Sequence, residues 1–295
     1  MKQLRASLTH FLREDSMIVS AFAPIEARDT PMAAETKSGT VLDRIIEARR
    51  AAIAHRKKSV PETALRFGVK HGLPVRDFAA ALGRDSLNVI AELKKASPSR
   101  GVIRADFDPV ALAKGLEAAG AAALSVVTEE EFFRGELKYM RDARAAVGLP
   151  VLRKDFIIDP WQVWEARATN ADSFLLIVAA LGDALLAELL ALGRELGMEP
   201  LVEVHTREEL TRALAAGARI IGVNNRNLHT FEVTLETSLR LAGKMPAAVI
   251  KVAESGIHSR NDIQRLQGAG FHAFLVGEHL MKSADPAAAL RELRS

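Results

Sequence analysis

Cysteine is absent from the 295 residues of this chain. Without thiols the protein can form no disulfide, no thiolate metal site, no iron–sulfur cluster and no cysteine nucleophile. Aromatic residues are scarce, at 5% of the chain, and no block of basic residues accompanies them. Because a nucleic-acid surface combines basic residues with rings that stack on bases, we expect no nucleic-acid partner.

Long apolar runs are missing as well. The longest candidate, residues 174–181, falls well short of the roughly 18 residues that a membrane-spanning helix needs. A weakly apolar stretch near the start follows Glu14 and Asp15, where a secretory signal requires positive charge. We therefore predict a soluble, cytoplasmic protein without a membrane partner.

The chain does have enough apolar residues for a large core, and its charge is nearly balanced. Hydrophobic residues make up 48% of the sequence, and 40 basic residues against 37 acidic ones give a net charge of +3. The two signs are intermixed along the chain. This composition is typical of a globular protein that folds by itself, and it favours a small anionic ligand over a polyanion.

Two regions differ in their hydrophobic pattern. Residues 1–39 show no sustained period, and we expect a loosely ordered N-terminal extension there. From Thr40 the pattern changes, because Thr40 and Asp43 form a capping box and apolar residues then recur on one helical face. The sequence therefore predicts a catalytic domain over residues 40–295 that opens with an extra helix at 40–58.

Eight short apolar runs follow, separated by segments that begin with a helix cap. The runs are 88–93, 123–127, 151–152, 173–178, 201–204, 220–223, 249–252 and 273–276. Gly120, Asn170, Gly217 and Gly270 each end a helical segment and recur about every 50 residues, which fits two strand and helix units per period. Continuously apolar runs indicate strands buried on both faces. We therefore predict an α/β fold, a (βα)8 TIM barrel with an extra N-terminal helix; an open doubly wound sheet is the alternative.

Polar residues follow these runs, at the strand ends where the catalytic groups of a barrel project. They are Glu92, Lys94, Lys154, Asp155, Glu203, Asn224, Arg226 and Glu254. Any one of them alone is more often a solvated rim charge than a catalyst. Their number at the ends of otherwise apolar runs indicates a site that holds both acids and bases.

Glycine turns after the last two runs indicate a phosphate site. Ser255 and Gly256 follow the seventh run, and Gly277 and Glu278 follow the eighth. Backbone N–H groups in this part of a barrel often hold phosphate, and glycine permits its close approach. The hydroxyl of Ser97, after the first run, would supply a further donor. The alternative is two ordinary glycine turns.

Seven segments, taken in order, resemble the indole-3-glycerol phosphate synthase family. They are IAELKKASPS at 90–99, LSVVTE at 124–129 with FFRG at 132–135, LRKDFI at 152–157, MEPLVEV at 198–204, GVNNRNL at 222–228, VAESGI at 252–257 and FLVG at 274–277. The resemblance implies one reaction of tryptophan biosynthesis, the closure of 1-(2-carboxyphenylamino)-1-deoxyribulose 5-phosphate to indole-3-glycerol phosphate with loss of carbon dioxide and water. It also implies a phosphorylated small-molecule substrate and no metal or organic cofactor.

Carried over by motif, the roles of the family divide the acid and base work. Lys154 is the implied general acid of ring closure, and Glu203 is the implied base of the dehydration. Lys94 is implied to bind the substrate carboxylate, and which lysine is the acid in each step stays open. Glu92 would keep a lysine charged, and Asn224 would orient the substrate. The implied substrate-binding residues are Ser97, Phe133, Arg226, Glu254, Ser255, Gly256, Gly277 and Glu278.

Several alternatives stay open at the level of sequence. Phe133 would pack on the anthranilate ring or lie in the core, and His279 is expected to face solvent. Residues 97–107 are long enough to form a lid. Two other functions fit such a barrel: an enzyme with a Schiff-base lysine, and a non-catalytic barrel that binds a phosphorylated metabolite. We expect a monomer or a weak homo-oligomer.

Overall fold

A computed structural model describes residues 39–227 and 230–295 of the chain. Within these ranges eight strands form one closed sheet: β1 (Asn88–Leu93), β2 (Ala123–Val127), β3 (Val151–Lys154), β4 (Ser173–Ile177), β5 (Leu201–Val204), β6 (Ile220–Asn224), β7 (Ile250–Glu254) and β8 (Ala273–Val276). Strand β1 pairs in parallel with both β2 and β8, which closes the barrel. Each predicted run forms one strand, so the barrel prediction is confirmed and the open sheet is wrong.

The predicted N-terminal extension lies, except for Gly39, outside the described residues. The division of the chain at residue 39 therefore stays a prediction. The extra helix α1 (Val41–Ser59) begins after the N-cap Thr40. The Thr40 hydroxyl accepts a hydrogen bond from the backbone N–H of Asp43, and the Asp43 carboxylate accepts one from the backbone N–H of Thr40.

Helices cover the outside of the barrel. Helix α1 is followed by α2 (Glu62–His71) and α3 (Phe78–Leu82), and the later helices are α4 (Pro109–Ala118), α5 (Leu137–Ala146), α6 (Pro160–Ala168), α7 (Asp183–Glu195), α8 (Arg207–Ala215), α9 (Glu236–Ala242), α10 (Arg260–Gly268), α11 (Glu278–Lys282) and α12 (Pro286–Arg294). Asp108, Asp159 and Asp285 cap helices that start with proline, a combination of residues that is visible in the sequence. None of the helices in the described ranges is long and apolar enough to cross a membrane.

The barrel interior is apolar at one end and polar at the other. Successive residues of a strand point to opposite faces, and one face of each strand packs inside the barrel. There, Phe78 and Leu82 of α3 pack against interior residues that include Ile90, Leu152, Leu201, Ile220 and Val252. Helix α3 thus closes one end. The same strand faces continue two positions further toward the carboxyl ends of the strands, where they carry mostly charged residues.

Helix α1 is tied to the segment that follows β3. Arg49 lies 3.0 Å from the carboxylate of Asp155, and Arg56 lies 2.7 Å from that of Glu165 in α6. These side chains are almost fully buried. The extra helix is therefore part of the barrel wall beside Lys154, because its charged residues bridge β3 and α6.

Candidate active site

A cavity of about 500 Å³ opens at the carboxyl ends of the barrel strands. The residues that line it include every residue that the sequence predicts for the site: Glu92, Lys94, Ser97, Phe133, Lys154, Glu203, Asn224, Arg226, Glu254, Ser255, Gly256, Gly277 and Glu278. Helix α1 adds Val41, Leu42 and Ile45 to the same wall. A concave site with apolar walls and a few converging polar groups is typical of small-molecule binding.

Lys154 is the centre of the charged network. It ends β3, and its Nζ atom lies 2.9 Å from Oε2 of Glu203 and 2.9 Å from Oε2 of Glu254. Burial opposes a charged lysine, but these two carboxylates and that of Glu92 outweigh burial and raise the pKa of Lys154 above its ordinary value. Lys154 is therefore protonated at neutral pH and can act as an acid. A Schiff-base nucleophile needs a neutral lysine, so this pairing argues against that alternative.

Glu203 and Glu254 share this ammonium group but differ in protonation. Burial by itself raises the pKa of a carboxyl group, yet at Glu203 the charge of Lys154 and a 3.1 Å hydrogen bond from Asn224 lower the pKa to about 2. At Glu254 burial prevails over Lys154 and raises the pKa to about 7. Glu254 therefore exchanges its proton near neutral pH, whereas Glu203 is ionised and can act as a base.

A second lysine lies beside this network. The Nζ atom of Lys94 is 2.8 Å from Oε1 of Glu92. Burial opposes the charge of Glu92, but Lys94 and Lys154 lower its pKa below the ordinary value. Glu92 is therefore ionised and holds the ammonium group of Lys94 at the cavity wall.

Two glycines leave room for these carboxylates. A Cβ atom at Gly277 would overlap Oε1 of Glu92, and one at Gly222 would overlap Oε1 of Glu254. The sequence predicts Gly277 for phosphate binding, and this close approach is a second reason for glycine there. Gly222 was missed. Its only signal in the sequence is its position two residues before Asn224, on the same face of β6.

The glycine turns lie in the cavity wall together with Ser97. Ser255 and Gly256 have positive φ angles of 66° and 77°, and a Cβ atom at Gly256 would lie 2.7 Å from Cγ1 of Val233. Glycine is therefore required at position 256 by both conformation and space. The hydroxyl of Ser97 is buried without a hydrogen-bond partner among the described residues. Such a hydroxyl is available to a ligand oxygen.

Glu278 forms ion pairs with three basic side chains at the rim of the cavity. Its carboxylate lies 2.9 Å from Nη2 of Arg226, 2.6 Å from Nζ of Lys282 and 3.3 Å from Nε of Arg100. Arg100 belongs to the segment 97–107 that the sequence predicts as a lid. These cations favour an anionic ligand, and the carboxylate of Glu278 competes with such a ligand for them.

Phe133 lines the cavity from the loop after β2. It is partly exposed, and its ring centroid lies 6.0 Å from that of Phe156, so the alternative of a core aromatic is wrong. The carboxylate of Glu129 accepts hydrogen bonds from the backbone N–H groups of Glu131, Phe132 and Phe133, at 3.0, 2.8 and 2.9 Å. Glu129 thereby fixes the loop that carries Phe133.

The side chain of Asp155, next to Lys154 in the sequence, is surrounded by side chains of the protein. Its carboxylate lies 3.0 Å from Arg49, 3.0 Å from Arg153 and 2.7 Å from the hydroxyl of Thr128, and its side chain is fully buried. The side chain of Asp155 therefore ties the end of β3 to α1, instead of offering a free carboxylate to a ligand.

Two histidines lie closer to the cavity than the sequence indicates. His279 is partly buried in the cavity wall, 5.9 Å from His258 between ring centroids, so it faces solvent only in part. The reason is that α11 starts directly after β8, and its second residue still lies at the rim. His205 was missed, although its spacing of two from Glu203 is a signal for the same strand face.

No group of three or more histidine, aspartate or glutamate side chains in the described part of the chain is arranged to hold a metal ion.

Comparison with known proteins identifies close relatives over most of the chain. The family model for indole-3-glycerol phosphate synthase matches residues 42–293. The chain is 49% identical over 257 residues to "Indole-3-glycerol phosphate synthase" of Albidiferax ferrireducens, which covers 86% of this chain and 97% of that one. It is 50% identical over 257 residues to the protein of the same name from Koribacter versatilis, which covers 86% of this chain and 98% of that one.

Solved structures share the barrel at much lower identity. A 3-hexulose-6-phosphate synthase superposes with a TM-score of 0.56 at 18% identity, covering 70% of this chain and 98% of that chain. A thiamine phosphate pyrophosphorylase from Pyrococcus furiosus superposes with a TM-score of 0.54 at 18% identity, covering 72% of this chain and 95% of that chain. At this identity the likeness shows the fold alone.

Proposed function

The chain belongs to the indole-3-glycerol phosphate synthase family, and we propose that its barrel cavity closes the indole ring with Lys154 as acid and Glu203 as base. The protein is a carboxy-lyase of tryptophan biosynthesis. Its reaction converts 1-(2-carboxyphenylamino)-1-deoxyribulose 5-phosphate into indole-3-glycerol phosphate, with release of carbon dioxide and water.

The observation that carries the residue assignment is the position of Lys154 between two carboxylates, each 2.9 Å from its Nζ atom. This arrangement keeps a proton on the lysine and places the ionised Glu203 beside it. An acid and a base thus lie within reach of one bound molecule in a buried site, as a reaction with two proton transfers requires.

Ring closure begins at the ketone of the substrate. The anthranilate ring carbon that bears the carboxylate attacks the carbonyl carbon when the carbonyl oxygen receives a proton, and Lys154 is the donor. Loss of carbon dioxide from that ring carbon then restores the aromatic ring. A correctly placed general acid contributes about 10²- to 10⁴-fold in rate.

The dehydration needs a base. Once Lys154 turns toward the substrate, Oε2 of Glu203 loses its ammonium partner and takes a proton from the substrate, while the hydroxyl group receives a proton from one of the two lysines and leaves as water. Asn224 donates to the other oxygen of Glu203 at 3.1 Å and so keeps the carboxylate oriented. Lys94, which Glu92 holds at 2.8 Å, is placed to bind the substrate carboxylate and is the second candidate for the acid of this step.

The other residues of the cavity suit the two ends of the substrate. The phosphate group would bind to the residues of the glycine turns and the unpartnered hydroxyl, namely Ser97, Ser255, Gly256, Gly277 and the backbone N–H of Glu278, with Arg226 adding positive charge. The aromatic ring would pack on Phe133 and the apolar residues of α1, namely Val41, Leu42 and Ile45. Glu254, whose pKa burial raises to about 7, would orient the hydroxyl groups of the substrate.

The test is direct incubation of the full chain with the ribulose phosphate substrate, followed by indole fluorescence. Wild-type protein should produce the fluorescence. Lys154→Ala should fold normally and lose at least about 10²-fold in kcat, whereas the exposed control Lys70→Ala should match wild type. Near-normal turnover by Lys154→Ala would remove Lys154 from the mechanism. Absence of fluorescence with wild type would favour a non-catalytic barrel.

The expectations of a cytoplasmic location, a monomeric or weakly oligomeric state and no nucleic-acid partner stay predictions. Analytical ultracentrifugation over a range of protein concentrations tests the oligomeric state. A stable dimer at low concentration would contradict it.

A further inference from the structure

His205 lies beside Glu203, the proposed base. It follows the end of β5, and its Nε2 atom is 3.5 Å from Oε1 of Glu203, the carboxylate oxygen that does not face Lys154. The side chain of His205 is only 12% exposed, and Nε2 is buried without a hydrogen-bond partner among the described residues, since its contact with Glu203 has only an ion-pair distance. A buried nitrogen that lies near a carboxylate and has no hydrogen-bond partner requires an explanation.

Glu209 fixes the imidazole from the other side. The Nδ1 atom of His205 lies 3.2 Å from Oε2 of Glu209, and the same oxygen accepts the backbone N–H of His205 at 2.7 Å. Glu209 lies in the first turn of α8, where its own backbone N–H is bonded to the hydroxyl of the cap residue Thr206. The ring therefore lies between two carboxylates, with Nδ1 near Glu209 and Nε2 near Glu203.

This geometry favours the charged form of the ring. Burial opposes an imidazolium, but the hydrogen bond to Glu209 and the charges of Glu203, Glu209 and Glu254 outweigh burial and raise the pKa of His205 above its ordinary value. Lys154 is the opposing cation in this cluster, and Glu203 lies between it and His205. With both nitrogens protonated, Nδ1 donates to Glu209 and the charged ring lies within ion-pair distance of Glu203.

Building on the function proposed above, we propose that His205 is a positioning residue that keeps Glu203 ionised after Lys154 turns to the substrate. In the free protein Lys154 neutralises Glu203. During ring closure that ammonium group gives its proton to the substrate, and a buried Glu203 without a cation would take up a proton too early. Asn224 is neutral and cannot replace the lost charge. His205 supplies it from the side of Oε1, so the base is still unprotonated when the dehydration begins.

The first test reads the charge of His205 directly. The full chain is labelled with ¹⁵N-histidine, and the ring signals of His205 are assigned by their loss in His205→Asn. At pH 7 both nitrogens should have imidazolium shifts, and the titration midpoint should move to lower pH in Glu203→Gln and in Glu209→Gln. A neutral ring at pH 7, or a midpoint that Glu203→Gln leaves unchanged, would overturn the proposal.

The second test separates charge from structure through the pH profile of turnover. In His205→Asn, kcat should fall about tenfold near pH 6.5, KM should change little, and the acid limb of kcat should move to higher pH. The loss should shrink as pH rises, because Glu203 is then ionised without help. The exposed control His55→Asn on α1 should follow the wild-type profile.

A loss that is equal at all pH values, or no loss at all, would contradict a charge role for His205. These outcomes are distinguishable from failure of the proposed function. If wild-type protein makes no indole, the function fails, whereas the NMR titration still decides whether His205 is the charged partner of Glu203.

Discussion

The Nζ atom of Lys154 lies 2.9 Å from Oε2 of Glu203, although 49 positions separate the two residues in the sequence. Strands β3 and β5, which carry them, are not neighbours, because β4 lies between them. The contact arises because both residues occupy the inner face at the carboxyl end of their strands. A closed barrel thus brings two alternate strand ends together across its mouth.

Gly222→Ala should impair turnover without any change of charge. The added Cβ atom overlaps Oε1 of Glu254, so that carboxylate must leave its place beside Lys154. We expect kcat to fall at least about tenfold, because small displacements of reacting groups are costly. The matched control is Gly268→Ala at the end of α10, where a Cβ atom meets nothing within 4 Å. Equal kinetics for both variants would show that Glu254 does not need its observed position.

Arg49→Met should destabilise the barrel wall beside β3. The substitution leaves the buried carboxylate of Asp155 with Arg153 as its remaining charged partner. The free energy of unfolding should fall by about 3 kcal/mol, as for removal of one member of a buried ion pair. Denaturant unfolding of Arg49→Met and of the adjacent, exposed control Arg50→Met measures this difference. If the two variants unfold at the same denaturant concentration, α1 is not anchored through Arg49.

Glu278→Gln should strengthen the binding of anions. The carboxylate of Glu278 forms ion pairs with Arg226, Lys282 and Arg100. Substitution by glutamine removes the negative charge of this side chain and leaves the backbone N–H in place. The Kd for inorganic phosphate, measured by calorimetry at low salt, should fall about three- to tenfold, since one repelling charge near the site is lost. The exposed control Glu188→Gln on α7 should leave it unchanged. Weaker phosphate binding in Glu278→Gln would contradict the competition inferred at this rim.

Glu129 should make the stability of the protein depend on pH. Burial and the charge of Asp155 raise the pKa of Glu129 from its ordinary value of 4.5 to about 7, against the opposing hydrogen bond from the backbone of Phe132. The folded protein therefore binds this proton more tightly than the unfolded chain. The resulting stabilisation is complete below pH 4.5 and is lost as the pH rises to about 7.

The measurement is the unfolding midpoint in urea between pH 4.5 and pH 8, a window that spans the ordinary and the raised pKa of Glu129. Wild type should lose stability across this window, and Glu129→Gln should lose less. Glu131→Gln, an exposed neighbour, should behave as wild type. Parallel curves for Glu129→Gln and wild type would mean that Glu129 has an ordinary pKa in the folded protein.

Much of this architecture can be predicted from the sequence, because its signals are local. Strands buried on both faces produce continuous apolar runs, and Asp108 or Asp159 before a proline marks the start of a helix. The charged residues of the site are equally visible, since Lys154 and Glu203 each interrupt or end an apolar run. Their convergence then follows from the closed barrel alone.

The remaining features depend on contacts between distant segments. Arg49 and Asp155 are 106 positions apart, and although its spacing of four from Ile45 puts Arg49 on the apolar face of α1, that spacing does not identify Asp155 as its partner. His205 is an exception, because its spacing of two from Glu203 and of four from Glu209 is a local signal that the sequence prediction overlooked. Gly222 is required only because Glu254 of the adjacent strand leans over it. Such features follow from side-chain packing, which hydrophobic periodicity does not describe.

The most direct test of the division between acid and base is a single-turnover experiment with rapid quenching and mass spectrometry. Glu203→Gln should close the ring and lose carbon dioxide but then stop, and so accumulate a species heavier than indole-3-glycerol phosphate by one water. Lys154→Ala should leave the substrate unchanged over the same time. If Glu203→Gln instead forms the final product at the wild-type rate, or if both variants leave only substrate, then the assignment of Lys154 to ring closure and Glu203 to dehydration is contradicted.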